Sequence, residues 1–243
     1  MKNRGKGLPS KDPLGEWAKE DLGVGDVRRT SALRRSSLFV GMDGEDAASV
    51  LACLGAREST FAKGETILHA GESVRELGIV LEGGVLVVTE DFWGNRSIVM
   101  RVGEGETFAE AFASLGVPAR FSVIGDVPTR ALFLDARRVL TTCSATCRFH
   151  QQLVRNLMAV LAAKNLELSK KTGVLSQRTI RSKAMEYLSE QARRAGSSSF
   201  SIPFTRQQLA DYLSVDRSSL SVELGKMAKE GILRFERNRF ELL

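Results

Sequence analysis

The chain has 243 residues, 43% of them hydrophobic, with a formal net charge of +6 and three cysteines. That length suits one large domain or two small ones, and the apolar share is enough for a packed core. No apolar run reaches the roughly 18 residues of a helical membrane span, and three cysteines do not make a disulfide framework, so a reducing cytoplasm is the expected setting. Residues 1–35 carry nine basic and five acidic groups, 36–169 twelve and sixteen, and 170–243 fourteen and eight. The cationic surplus at the C-terminal end suits a polyanion such as nucleic acid, although ordinary solubilising charge gives the same count.

In chain order, residues 1–27 are rich in Gly, Lys and Pro without a period and read as a tail. The opening MKNRGKGLPSKDPLGEW has no apolar stretch behind its basic residues, unlike a secretory signal. Arg28–Phe39 and Glu45–Leu54 read as short helices around VGMDGE. From Ser59 the pattern changes to short β-rich runs: ETILHA, ELGIVLEG, GVLVVTED, RSIVMRV, SVIGD and TRALFLD, punctuated by glycines. Strands this short and regularly spaced predict a closed or sandwiched antiparallel sheet. WGN, between VTED and RSIVM, predicts a hairpin turn with Gly or Asn at positive φ.

Near Cys147 the period becomes helical. Leu153, Leu157, Val160, Leu161, Leu166 and Leu168 form an apolar stripe through HQQLVRNLMAVLAAKNLELSKK, a helix of roughly six turns or about 35 Å. Two partners suit that stripe: a second copy in a parallel coiled coil, or the chain's own barrel. Thr172–Gly173 reads as an interruption and hinge, 176–194 as a further amphipathic helix, AGSSS (195–199) as a loop, and GILRFERNRFELL as strand, turn, strand with Arg237–Asn238–Arg239 at its tip.

TRQQLADYLSVDRSSL (205–220) reads as two helices across a tight turn. Thr205 followed three residues later by Gln208 is a capping box. Leu209 and Leu213 face inward, Ala210 is small enough for a close helix crossing, and Ser214–Val215 form the turn. Asp216 caps a second helix whose apolar face is Leu220, Leu224 and Met227. With the hairpin that follows, this is a winged helix-turn-helix. The opposite face carries Arg217, Ser218, Ser221 and Val222, side chains able to reach base edges and phosphates in a major groove.

The predicted fold class is therefore α+β: an antiparallel β-barrel or cupin-like jelly roll over 28–136, a long dimerisation helix over 137–172 and a winged helix-turn-helix over 173–243. No nucleophile–base pair and no phosphate-binding glycine loop is present. His69 and His150 are the two histidines, so an enzyme is not expected.

This order of parts resembles the CRP/FNR superfamily of bacterial transcription regulators over about residues 28–243. In the barrel the resemblance rests on FAKGETILHAGE and LEGGVLVVTEDFWGNRSIVMRVGEGETF, and at the C-terminus on IPFTRQQLADYLSVDRSSLSVELGKMAKEGIL. It implies a cytoplasmic homodimer that reads a promoter operator in double-stranded DNA and works with RNA polymerase. Thr205, Arg206, Gln207, Arg217, Ser218, Ser219, Ser221, Val222 and Lys226 would be its DNA contacts. In cyclic-AMP-binding members, a Gly-Glu pair and an Arg-Ser pair hold the ribose and the cyclic phosphate. The matching segment, GETFAEAFASLGVPARFSV, keeps Glu110 and Arg120 but has Ala109 for the Gly and Phe121 for the Ser. The long-helix contact falls near Leu166 and Glu167, a poor match to an adenine edge. A phenylalanine in place of a donor beside the phosphate argues against cyclic AMP. Glu110, Arg120, Phe121 and Leu166 are then the lining of a pocket for some other small molecule. Alternatively, Arg120–Glu110 is a structural bridge and the protein a constitutive DNA binder whose barrel has lost its ligand.

Iron–sulfur members place their cysteines near the N-terminus, and here none precedes Cys53. Cys143, Cys147 and His150 share one helix face if the helix already runs there. They suit a metal, a thiol redox switch, or plain packing at the helix start. In the recognition helix, Ser218 and Val222 stand where better-known relatives have Glu and Arg. This implies an operator unlike the TGTGA and TTGAT half-sites.

Overall fold

The computed structural model describes residues 31–140 and 148–243. A helical segment at 31–35 (α1) and a 3₁₀ turn, Ser37–Phe39, lead into α2, Gly44–Cys53. Asp43 and Asp46 cap α2 reciprocally, which fixes its start. Eight strands follow: β1 Arg57–Phe61, β2 Thr66–Leu68, β3 Glu76–Glu82, β4 Gly84–Glu90, β5 Arg96–Gly103, β6 Thr107–Phe108, β7 Ser122–Gly125 and β8 Thr129–Asp135. A short helix, α3 (Glu110–Leu115), lies between β6 and β7, and α4 (Ala136–Leu140) follows β8. The strands form two four-stranded sheets of order β1-β8-β3-β6 and β2-β7-β4-β5, antiparallel throughout. This is the expected jelly roll. Gly78 of β3 lies under the Phe108 ring, and a Cβ there would come within 2.0 Å of Phe108 Cζ, so the close crossing of β3 and β6 requires a glycine.

The second sheet is apolar on both faces. Val85, Val87, Val102 and Val123 belong to the barrel core. Leu86, Val88, Ile98 and Ile124 point the other way and share a core with the C-terminal domain. All of Gly84–Val88 is buried for that reason, although an antiparallel strand with one wet face alternates. At the β4–β5 turn, Asp91 accepts the amides of Trp93 and Asn95, with Gly94 at φ 80°, as the WGN signal predicts.

The long helix α5 is Arg148–Leu175, 28 residues, about 42 Å at 1.5 Å per residue. It runs through Thr172–Gly173 and breaks three residues later than expected. The Thr172 and Ser176 hydroxyls bond carbonyls one turn back, and Val174 is buried, which offsets the helix cost of Gly173. The chain bends at 176–179, where Thr179 caps α6, Ile180–Ala195. The stripe also divides differently. Leu153 and Leu157 join the chain's own barrel core, Val160 is buried, and Asn156 Nδ2 donates to Leu38 O and Val40 O, both at 2.9 Å. Leu166 and Leu168 stay exposed.

The C-terminal domain adds α7 (Arg206–Leu213), α8 (Arg217–Lys229) and a wing of order β10-β11-β9, from Leu233–Glu236, Arg239–Leu242 and Ser199–Ser201. Strand β9 begins within the expected loop. It buries only Phe200, stacked on Phe240 at 6.4 Å.

Candidate nucleic-acid interface and effector cavity

The helix-turn-helix is built by its caps. Thr205 and Gln208 form the full capping box of α7, Ser214 turns the chain in the left-handed region at φ 50°, and Asp216 accepts the Ser219 amide to start α8. Leu209, Ala210, Leu213, Leu220, Leu224 and Met227 are buried between the helices. Arg181 of α6 fixes α8 from outside, donating to Glu223 at 2.6 Å and to Glu230 at 2.7 and 2.9 Å; the two carboxylates raise its pKa. Arg217, Ser218, Ser219, Ser221, Val222 and Lys226 are consequently exposed along one side of α8, with Thr205 and Gln207 exposed at the start of α7. The Ser218 hydroxyl bonds Asp216 and the Ser221 hydroxyl the Arg217 carbonyl. Arg206 differs from its neighbours. It lies 4.8 Å over the Phe235 ring and donates to Arg237 O, and burial lowers its pKa. Its guanidinium braces the wing.

In the barrel, Glu110 opens α3 after Ala109, which takes the left-handed conformation (φ 62°) that favours glycine. Glu110 is buried, and its partner is Lys164 of α5, Nζ to Oε1 at 2.7 Å. Lys164 also donates to the Thr107 carbonyl, while Glu110 Oε2 and Thr107 Oγ1 are buried without a partner. The expected Arg120–Glu110 pair does not form. The loop before β7 is pinned by Ala119 N to Glu72 O (2.9 Å) and Gly71 N to Ala119 O (2.8 Å), which turns Ala119 inward and leaves Arg120 exposed. Phe121 packs edge-on against Phe112 at 4.8 Å. Leu166 is exposed to solvent. A cavity of about 500 Å³ lies between α5 and the β5 edge, bordered by Met100, Arg101, Val102, Thr107, Val160 and Lys164.

A second lysine of α5, Lys171, is buried where barrel and DNA domain meet. Its Nζ donates to Ile98 O and Val99 O and sits 4.3 Å over the Tyr212 ring. Burial pushes its pKa down to about 8 from the ordinary 10.5. Between those values the unfolded chain holds a proton that the folded chain has released, so stability rises with pH. The contribution is complete above about 10.5 and lost as pH falls through about 8. Thermal unfolding of the wild type relative to Lys171→Met is expected to shift in the wild type's favour across this window. A pH-independent difference would contradict it.

Sequence reasoning missed both lysines, yet the signal was present. Leu153, Leu157, Val160, Lys164, Lys171 and Val174 fall on one helical face. Lysines on an apolar face require acceptors opposite them.

Cys143 and Cys147 lie outside the described residues. His150 is buried, with Nε2 bonded to Arg138 O at 2.9 Å, so that nitrogen is held by the main chain. Among the described residues no group of three His, Cys, Asp or Glu is arranged for a metal, and no helix is long and apolar enough to cross a membrane.

Two family models match the chain. The cyclic nucleotide-binding domain covers residues 58–146 and the Crp-like helix-turn-helix domain residues 182–243. With this architecture, the chain belongs to the CRP/FNR superfamily of transcription regulators. No curated protein matches its sequence significantly. Among solved structures it is similar to FixK2 from Bradyrhizobium japonicum, with 22% identity, TM-score 0.62, and 77% of this chain and 92% of that one covered. It is also similar to the c-di-GMP-responsive global regulator CLP of Xanthomonas campestris, with 14% identity, TM-score 0.68 and coverage of 82% and 99%. A CRP/FNR-family regulator from Thermus thermophilus matches with 20% identity, TM-score 0.56 and coverage of 77% and 93%. At these identities the similarity is one of fold.

Proposed function

We propose that the protein is a homodimeric, sequence-specific DNA-binding regulator in the cytoplasm, acting at promoters with RNA polymerase. A small molecule between barrel and long helix would modulate its DNA affinity. The observation that carries DNA reading is the exposed strip Arg217, Ser218, Ser221, Val222 on a helix whose opposite side is fully buried. Arg217 and the serines suit phosphates and base edges, and Val222 suits a thymine methyl.

Dimerisation is supported by the solvent side of α5. Arg155, Ala159, Ala162, Leu166, Ser169 and Gly173 are exposed there at alternating spacings of four and three, the pattern of a coiled-coil seam with small residues for close approach. Two such chains would place their recognition helices on half-sites about one helical turn apart.

Selection from a random duplex pool tests this reading. The expected result is a two-fold-symmetric site unlike TGTGA or TTGAT, with Arg217→Ala weakening binding by roughly 1–3 kcal/mol. Recovery of either familiar half-site, or of no consensus, would contradict it.

The Lys164–Glu110 pair favours a second reading, constitutive DNA binding. The barrel carboxylate is already neutralised by the chain's own long helix. Calorimetry with cyclic AMP and cyclic di-GMP separates the two: heat of binding in the wild type supports a liganded barrel, and heat only in Lys164→Met a self-filled one.

A further inference from the structure

The DNA domain is fastened to the barrel by a polar contact that bypasses the long helix. Asp126, just after β7, is held by its own amide on Gly84 O at 2.9 Å, and its carboxylate is only 11% exposed. One oxygen accepts Arg101 Nε at 2.8 Å, and the other accepts Gln208 Nε2 at 2.6 Å. Gln208 Oε1 accepts the Thr205 amide at 2.8 Å, closing the α7 cap. One glutamine therefore both starts the first helix of the helix-turn-helix and ties that helix to the barrel. Arg101 also borders the cavity of about 500 Å³, so cavity and contact share one guanidinium.

Docking has a steric consequence. The Ser97 and Ser214 hydroxyls lie 3.4 Å apart, and an open cleft of about 780 Å³ has Glu90 and Arg96 of the barrel hairpin on one wall and Gln207 and Arg217 on the other. In a helix-turn-helix these last two positions face the sugar–phosphate strands beside the groove. A strand contacting Gln207 and Arg217 would have to enter this cleft, whose other wall is the hairpin.

We propose that Asp126 is an autoinhibitory latch, which holds the DNA domain against the barrel through Gln208 in a state that does not admit DNA and which loosens when Arg101 is drawn away from it. A carboxylate this buried, left with one neutral donor, favours the undocked state in which water solvates it. The inference rests on the DNA-reading function proposed above, and its test separates the two.

Cys53, Cys143 and Cys147 are replaced by serine in the full chain, and Ser97→Cys with Ser214→Cys is added. The rate of disulfide formation with oxidised glutathione then reads docking without DNA. Gln208→Glu keeps an acceptor for the Thr205 amide but sets a carboxylate against Asp126. It is expected to slow crosslinking at least tenfold. Asp126→Asn in the same chain restores a donor–acceptor pair and should recover most of the rate, and Arg101→Met should slow it in part. The crosslinked protein is expected to bind a random-sequence duplex at low salt at least tenfold more weakly than the same protein reduced. Equal crosslinking rates in Gln208→Glu and its parent overturn the latch. Equal DNA affinity of the crosslinked and reduced forms overturns the autoinhibition. If the reduced protein binds no duplex at all, the DNA-reading function fails, and the crosslinking rates still decide whether Asp126 holds the domains together.

Discussion

Lys164→Met is expected to lower the thermal midpoint by roughly 6–12 °C. Removing one member of a buried ion pair costs about 3 kcal/mol or more, because the partner charge stays buried, and each kcal/mol is worth about 2–4 °C in a chain of this size. Among the described residues Lys164 is the ion-pair partner of Glu110, whose Oε2 already lacks a hydrogen bond. The figure of about 3 kcal/mol, the low end for such a loss, is used because the Lys164 side chain is 21% exposed. Glu110→Met added to Lys164→Met removes the stranded charge and should recover most of the loss, giving a large coupling energy in the double-mutant cycle. A single variant that melts like the wild type would show that α5 is held in place without the ion pair, by Leu153, Leu157 and the Asn156 hydrogen bonds.

The second large effect is expected at Leu224. Its side chain is fully buried between α6, α7 and α8, beneath the strip that carries Arg217 and Val222. Leu224→Ala leaves a cavity there at a cost of about 2–5 kcal/mol. Leu224 belongs to a core shared with Leu86, Val88, Ile98 and Ile124 of the second sheet, but not with β3 or β8, so the damage should spare the first sheet. Hydrogen exchange is expected to rise in α7 and α8 with little change in β3 and β8, and DNA binding to fall as α8 loses its seat. Uniform exchange across both domains would instead mean that they unfold as one unit.

The caps and turns were legible because each rests on a few adjacent residues: Thr205 with Gln208, Asp216, and the WGN turn with Gly94 at positive φ. The placement of the long helix was legible only in part. Its stripe announced burial but not the partner, and the structure assigns Leu153 and Leu157 to the barrel and leaves Leu166 in water. GVLVV carried an unread signal, since an antiparallel strand with no polar alternation must be covered on both faces, and the second cover is the DNA domain. Arg120 misled because matching a motif by position says nothing of side-chain direction, which the buried Ala119 beside it decides. The links Asp126–Gln208 and Glu110–Lys164 join residues 82 and 54 positions apart, beyond the reach of any local pattern.

The central claim is that α8 reads DNA, and salt-titrated fluorescence anisotropy on the selected duplex tests it most directly. For the wild type, log affinity is expected to fall linearly with log salt at a slope of about −0.9 for each phosphate neutralised. Arg217→Ala should weaken binding at every salt concentration while leaving the thermal midpoint in place. A wild type that binds no better than Arg217→Ala, or whose affinity ignores salt, would contradict the account.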